Sequence, residues 1–201
     1  MVLGITGKYC AGKDAAVSLL VESGIREINE DLVGHAALAA KAGEVVTAFG
    51  PGVQQSDGGI DRRSLGAIVF ADADALSRLE GLLHPWMVEE TRQLVQSAAG
   101  ESVAINAAIL HRMGLHILCD LVIIVHAPLA TRVLRGLRRD HNGILNILRR
   151  IWSQRRDDIP KHFLNERGAR VDTVVVKNGG SREALARRLE AILSDSGLTG
   201  R

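Results

Sequence analysis

The sequence predicts an α/β fold in three layers, a parallel five-stranded sheet with helices on both faces. Two observations predict it. Short apolar runs of strand length alternate with longer stretches of helical spacing, the pattern of strands linked by crossover helices. The first run, Val2-Leu3-Gly4-Ile5-Thr6, passes through a glycine-bounded loop directly into a helical run, Ala15 to Leu20.

That loop is Gly7-Lys8-Tyr9-Cys10-Ala11-Gly12-Lys13-Asp14. Its spacing is G-x-x-x-x-G-K, the phosphate-cradling P-loop. Glycines let the backbone curl so that N–H groups point at phosphate oxygens. The helix start adds a partial positive charge and Lys13 a full one. The predicted fold is therefore of the P-loop nucleoside-triphosphate hydrolase-like kind, against the plainer reading of a tight turn with a solvated lysine. The final motif position calls for Ser or Thr, whose hydroxyl holds Mg²⁺, and here it is Asp14. Three readings of Asp14 stay open: a metal-holding carboxylate, a residue that only suits the helix dipole, or the mark of a site without magnesium chemistry. Cys10 sits beside the positive helix end, a setting for a redox-sensitive thiol or for simple space-filling.

The first helix stops near Ser23-Gly24, and Ile25 to Asn29 is a short candidate strand. Glu30-Asp31 follows where ligands bind in α/β folds, at a strand's carboxyl end. Asp31 suits either a proton acceptor or the N-cap of a helix beginning at Leu32-Val33; spacing alone favours the cap.

From Leu32 to Ala99 the pattern is helical, with turns at Gly50-Pro51-Gly52 and Asp57-Gly58-Gly59. Asp61 caps a helix through Phe70, and Asp72 caps the next. Leu76, Leu79, Leu82 and Leu83 share a face. Pro85 interrupts or kinks that run, and a further helix reaches Ala98. His84, beside this break, reads first as structural. Strand signals return at Ser102–Asn106 and Leu121–Val125. Pro128 opens a helix through Arg139. Residues 141–170 read as polar, basic and free of strands. Val171–Val176 is the last strand, Ser181 caps a final helix over Ala184–Leu193, and the tail to Arg201 frays. One domain results: a core of residues 1–30, 100–128 and 171–201, a helical insert over 31–99, and a lid over 129–170.

The lid reading rests on charge. Between Arg132 and Arg170 stand ten arginines and Lys161 against four acids. Arginine forks match phosphate, and a lid closing over phosphates uses them. An RNA-binding face is the rival, with only Trp152 and Phe163 for stacking. The whole chain of 201 residues carries a net charge of just +2, too little to imply nucleic acid. Its two cysteines, Cys10 and Cys119, suit a reducing compartment. The run Leu121 to Val125 is far too short to span a bilayer. The expectation is a cytoplasmic protein without nucleic-acid or membrane partners, its oligomeric state open.

With these pieces placed, the sequence resembles the dephospho-CoA kinase family over about residues 3–193. Gly4-Ile5-Thr6-Gly7 with Gly12-Lys13 is similar to the family's G-L-T-G-x-x-x-S-G-K-S/T. Ile28-Asn29-Glu30-Asp31-Leu32-Val33 is similar to I-D-A-D-x-V. The distinctive block is Asp57-Gly58-Gly59-Ile60-Asp61-Arg62-Arg63-Ser64-Leu65, then Val69-Phe70-Ala71-Asp72, Leu79-Glu80 and Leu82-Leu83-His84-Pro85. Weaker echoes are Arg138-Arg139-Asp140 and Val174 to Gly180.

The resemblance implies phosphorylation of the ribose 3′-hydroxyl of dephospho-CoA by ATP with Mg²⁺. By position it makes Asp31 the catalytic base, reversing the spacing-only reading. It assigns ATP to Gly7, Lys8, Tyr9, Cys10, Ala11, Gly12, Lys13, Asp14 and Asn178. Lys13 and Arg139 would neutralise the transferring group, Asp14 would hold the metal, and His84 would line the acceptor side of the insert. Asn178 would lie near the adenine. The sequence departs from the family at Asp14, at Asn29 in place of the first Asp of D-A-D, and at Asn106 in place of Asp. Ala107 to Arg112 stands where I-P-L-L-F-E is usual, and the lid is longer between Gln154 and Asn178. Two carboxylates are lost and one is gained, which leaves two rival readings: a P-loop nucleotide-binding regulatory protein without catalysis, and a kinase of another small molecule.

Overall fold

The computed structural model describes residues 1–139 and 162–196. The chain divides into two compact units, one of Met1–Ile28 with the chain from Ala98 onward, the other Asn29–Ser97.

The first unit is built on a six-stranded sheet. Its strands are β1 (Val2–Gly7), β2 (Arg26–Asn29, its last residue counted with the second unit), β3 (Val103–Asn106), β4 (Leu121–His126), β5 (His162–Leu164) and β6 (Arg170–Lys177). They lie in the order β2-β3-β1-β4-β6-β5. β1 pairs in parallel with β3, Val2 beside Val103, and with β4, Leu3 beside Leu121. β4 continues in parallel to β6, Leu121 beside Asp172. β3 is buried at every residue and β1 along its interior, as expected of parallel strands covered on both faces.

Helices α1 (Lys13–Glu22) and α7 (Arg182–Asp195) cover one face. Ala16, Val17 and Leu20 of α1 and Leu185, Leu189 and Leu193 of α7 pack on Leu3, Ile5, Ile123 and Val176. The i, i+4 spacing of the three leucines sets them on one stripe. Gly4 points the other way. A Cβ there would come 2.7 Å from Cys119 Sγ and 2.8 Å from Leu110 Cδ1, so this glycine is a packing requirement. Helix α6 (Leu129–Arg139) follows β4, and the Pro128 carbonyl accepts its first bond from the Arg132 amide at 3.0 Å.

The second unit is helical: α2 (Glu30–Ala40), α3 (Ala42–Phe49), a 3-10 turn at Pro51–Val53, α4 (Arg62–Ala71) and α5 (Ala73–Ser97). Its core gathers Val33, Ala37, Val45, Val53, Leu65, Val69, Leu83 and Met87. The Asp57-Gly58-Gly59 turn joins the bridge between Gln54 and Ile60, with the Gly59 amide donating to Asp57 Oδ1 at 2.9 Å. Asp61 caps α4 as expected, accepting from the Arg63 and Ser64 amides at 2.9 and 3.3 Å. Asp72 accepts from the Asp74 amide at 2.9 Å at the head of α5.

Three expectations are corrected. The sheet has six strands, because β5 lies in the stretch read as strand-free. Three residues are too few for periodicity to register, and β5 exists by antiparallel pairing with β6, Phe163 beside Val171. Its Phe163 ring also meets His116 edge-on, centroids 4.8 Å apart. Second, Pro85 does not end a helix: α5 runs unbroken through it for 25 residues. A proline removes one N–H and crowds the carbonyl four residues back, and the 24 other residues of α5 outweigh that local loss. Third, the cap of α2 is Asn29, whose Oδ1 accepts from the Asp31 amide at 3.0 Å. Asp31 is thereby inside the first turn. The expected lid segment from Asp140 to Lys161 lies outside the described residues, as does the tail from residue 197. No single helix among the described residues is long and apolar enough to cross a membrane.

Candidate functional site

The loop between β1 and α1 is held open by its own backbone and by three side chains from elsewhere in the first unit. The Ala11 amide donates to the Lys8 carbonyl at 2.9 Å, closing a tight turn. Gly12, the N-cap of α1, has φ +91°, a conformation that glycine adopts without penalty. A Cβ on Gly12 would run into Asn178 Nδ2 and lie 3.2 Å from Arg135 Nη1. Cys10 has φ +56°, the one positive-φ non-glycine residue among those described.

The braces all act on carbonyl groups. Arg132 Nε donates to the Tyr9 carbonyl at 2.7 Å. Arg135 Nη1 and Asn178 Nδ2 donate to the Ala11 carbonyl at 3.2 and 2.9 Å. Asn178 is itself fixed by its amide, which donates to the His126 carbonyl at 2.6 Å as the chain leaves β6. With the Tyr9 and Ala11 carbonyls taken up by side chains, loop amides other than that of Ala11 remain for an anion, the arrangement that binds phosphate.

Lys13 begins α1. Its ammonium donates to Asn106 Oδ1 and lies 3.1 Å from Asp14 Oδ1. Asn106 Nδ2 donates to Glu27 Oε1 at 2.6 Å. A lysine only donates and a carboxylate only accepts, so the Asn106 amide has one orientation that satisfies both. A carboxylate at 106 would keep the contact with Lys13 but would face Glu27 with like charge. Asp14 is largely exposed, its side chain at 73%. Its oxygens are hard ligands suited to Mg²⁺ together with phosphate oxygens, so the donor set fits the ion. No group of three or more metal-binding side chains occurs among the described residues.

The other expected residues belong to the second unit or to the end of α6. Asp31 stands exposed in the first turn of α2. Beside it Glu30 is buried, at 4% exposure. The Thr91 hydroxyl lies 2.8 Å from Glu30 Oε1 and 2.7 Å from the Met87 carbonyl, while Glu30 Oε2 is buried without a partner. Burial pushes the Glu30 carboxyl up to about 7, with the charge of Asp31 adding to the effect and the Thr91 hydroxyl opposing it. His84 is half-buried within α5. Arg139 is the last residue of α6, and its side chain lies outside the described residues.

Sequence reading missed Arg132 and Arg135 as loop braces, because they merged into a basic stretch. Their i, i+3 spacing on a helix, which puts two arginines on one face, was the available signal. The Asn178 side-chain amide touches the loop backbone, a contact that the sequence did not reveal.

Comparison with known proteins adds the chemistry. The dephospho-CoA kinase family profile matches residues 1–183. The chain is 36% identical to a dephospho-CoA kinase of Anaeromyxobacter dehalogenans over 202 residues, covering 96% of this chain and 91% of that one. It is 33% identical to that of Geobacter sulfurreducens over 197 residues, covering 95% and 96%. Among solved structures, a Thermus thermophilus protein superposes with a TM-score of 0.79 at 28% identity, over 100% of this chain and 98% of its own. A Campylobacter jejuni dephospho-CoA kinase shares the fold, with a TM-score of 0.66 at 20% identity over 97% and 98% of the two chains.

Proposed function

This chain belongs to the dephospho-CoA kinase family, and on that premise we propose how its residues divide the work of the reaction. It is a kinase that uses ATP to phosphorylate dephospho-CoA, giving coenzyme A. The observation that carries the assignment of roles is the braced loop from Gly7 to Lys13.

Loop amides from Gly7 to Gly12 hold the ATP phosphates, and Lys13 neutralises their charge. Lys13 is pre-positioned by Asn106, so little rotamer freedom is lost on binding. Asn178 acts on ATP through the loop that it braces. Asp14 would hold Mg²⁺, which when bound shields and orients the phosphates. Asp31 takes the proton of the 3′-hydroxyl. Its position in the family motif supports that role, and so does Asn29, which supplies the cap that Asp31 would otherwise provide. By the same resemblance Arg139 stabilises the transferring phosphoryl group and His84 lines the acceptor side. The reaction belongs in the cytoplasm, and the substrates are the small molecules ATP and dephospho-CoA.

Coupled detection of ADP tests the reading. Release should require both dephospho-CoA and a divalent ion, and the product should carry a 3′-phosphate. Absence of turnover with every divalent metal tried would sink it.

A further inference from the structure

We propose that Glu30 is a positioning residue for phosphoryl transfer: its protonated carboxyl pins the first turn of α2 to α5 and so holds Asp31. Loss of that proton releases the turn and slows turnover. The inference rests on Asp31 being the base, as proposed above.

Glu30 and Asp31 open α2 from adjacent positions, the first buried and the second exposed. The I-D-A-D-x-V pattern has alanine where Glu30 stands, so the pattern itself does not call for a carboxyl. Two features of the pocket call for the protonated form. Thr91, on α5, has one hydroxyl proton for two acceptors, Glu30 Oε1 at 2.8 Å and the Met87 carbonyl at 2.7 Å. The carbonyl four residues back is the partner that a helical threonine takes. The Glu30 carboxyl is then left to donate the other bond. Its Oε2 is buried without a hydrogen-bond partner. That costs far less for the oxygen of a neutral acid than for half of a carboxylate. The rise of this carboxyl to about 7, caused mainly by burial, agrees.

Helices α5 and α3 pack on α2. Beside Thr91 on α5 stand Glu90 and Arg92, and Arg92 pairs with Glu89. His84 lies two turns before Thr91 on the same stripe. Lys41, at the head of α3, pairs with Glu44 at 2.7 Å. The adjacent charge on α2 is Asp31, of like sign. An ionised Glu30 would therefore meet repulsion, in a pocket where Thr91 and Met87 offer one proton between them. Such a carboxylate is drawn to water, and the turn that carries it shifts with it. A displacement of about 1 Å in a reacting group can cost about a hundredfold in rate. Asp31 loses its place, while Lys13 and the phosphate loop belong to the other unit and keep their hold on ATP.

The test follows the full chain from pH 6 to pH 9. Carbon-13 NMR of labelled glutamate side chains, with Glu30→Gln assigning the signal, should show the Glu30 carboxyl titrating at about 7. That readout needs no turnover. With ATP and dephospho-CoA saturating, the parent kcat should fall about tenfold by pH 8, one unit past the midpoint. The Kd for ATP should stay level over the same range. Glu30→Gln keeps the shape and donates to Thr91 from its amide. It should hold its plateau rate through pH 8, with substrates that ionise identically in both proteins. Glu30→Ala should lose kcat several-fold at pH 6.5 with the Kd for ATP unchanged. That loss, set against its absence in Glu30→Gln, reads the pin itself. A Glu30 carboxyl that titrates in the ordinary range, a parent without the alkaline fall, or the same fall in Glu30→Gln would each overturn the proposal. So would a parallel loss of ATP affinity, or Glu30→Ala turning over like the parent at pH 6.5. Near-normal turnover in Asp31→Asn would strike the base role, while the titration of Glu30 would stand.

Discussion

Two buried polar residues each hold a specific arrangement. The Thr91 hydroxyl has one proton. If it goes to the Met87 carbonyl, the contact with Glu30 needs a proton from the carboxyl itself. That geometry and the raised value of about 7 point the same way. Between the ordinary 4.5 and about 7, the folded chain binds a proton that the unfolded chain has released. Stability from this group is complete below the lower value and is lost as pH rises through the upper one, a difference of about 3 kcal/mol. Glu30→Gln should therefore be more stable than the parent at pH 8 and flatter in its pH dependence, by urea unfolding at both ends of the window. Equal pH dependence in the two proteins would contradict this. Asn106→Asp makes the opposite case. It sets a second carboxylate against the exposed Glu27 while keeping the pairing with Lys13, and a net loss of up to about 1 kcal/mol is expected at pH 8. Adding Glu27→Gln should restore stability. An Asn106→Asp single variant as stable as the parent would show that the amide's orientation does not matter.

Among the elements, α5 shows how tertiary structure overrides a local signal. Pro85 reads as a break, yet the helix passes through it. The residue still costs a backbone hydrogen bond and crowds a carbonyl. Pro85→Ala should gain roughly 1–2 kcal/mol after the added freedom of the unfolded chain is subtracted, seen as a higher urea midpoint. An unchanged or lower midpoint would mean that α5 has already absorbed the defect. Other elements were legible in advance. The loop with its flanking strand and helix could be read because spacing, glycines and lysine all lie within eight consecutive positions. The Asp61 cap was equally local. What could not be read were the partnerships that join distant residues: Lys13 with Asn106, Asn106 with Glu27, Glu30 with Thr91. Periodicity says which face of a helix is buried but not which side chain waits opposite.

The whole molecule has two units, and the reading assigns them separable tasks. Lys13, Arg132 and Asn178 belong to the unit containing the sheet, while Asp31 and His84 belong to the helical one. Asp31→Asn should thus lower kcat by about 10²–10⁴ while leaving the Kd for ATP close to the parent value. Near-normal turnover would remove the base role, and a large loss of ATP affinity would show that Asp31 serves the nucleotide instead. The family and fold class were legible because the resemblance spanned nearly the whole chain. The second strand pairing of β6 was not, since it depends on a three-residue segment with no pattern of its own.

The sheet order has a consequence in time. β1 is made first, but its partners are Val103–Asn106 and Leu121–His126. At about 5–20 residues per second it must wait roughly 5–20 s for the earlier of them. The side chains that hold its loop open come later still, Arg132 on α6 and Asn178 after the last strand. A nascent chain therefore carries the phosphate motif long before it carries the means to shape it, so nucleotide can reward only a nearly finished chain.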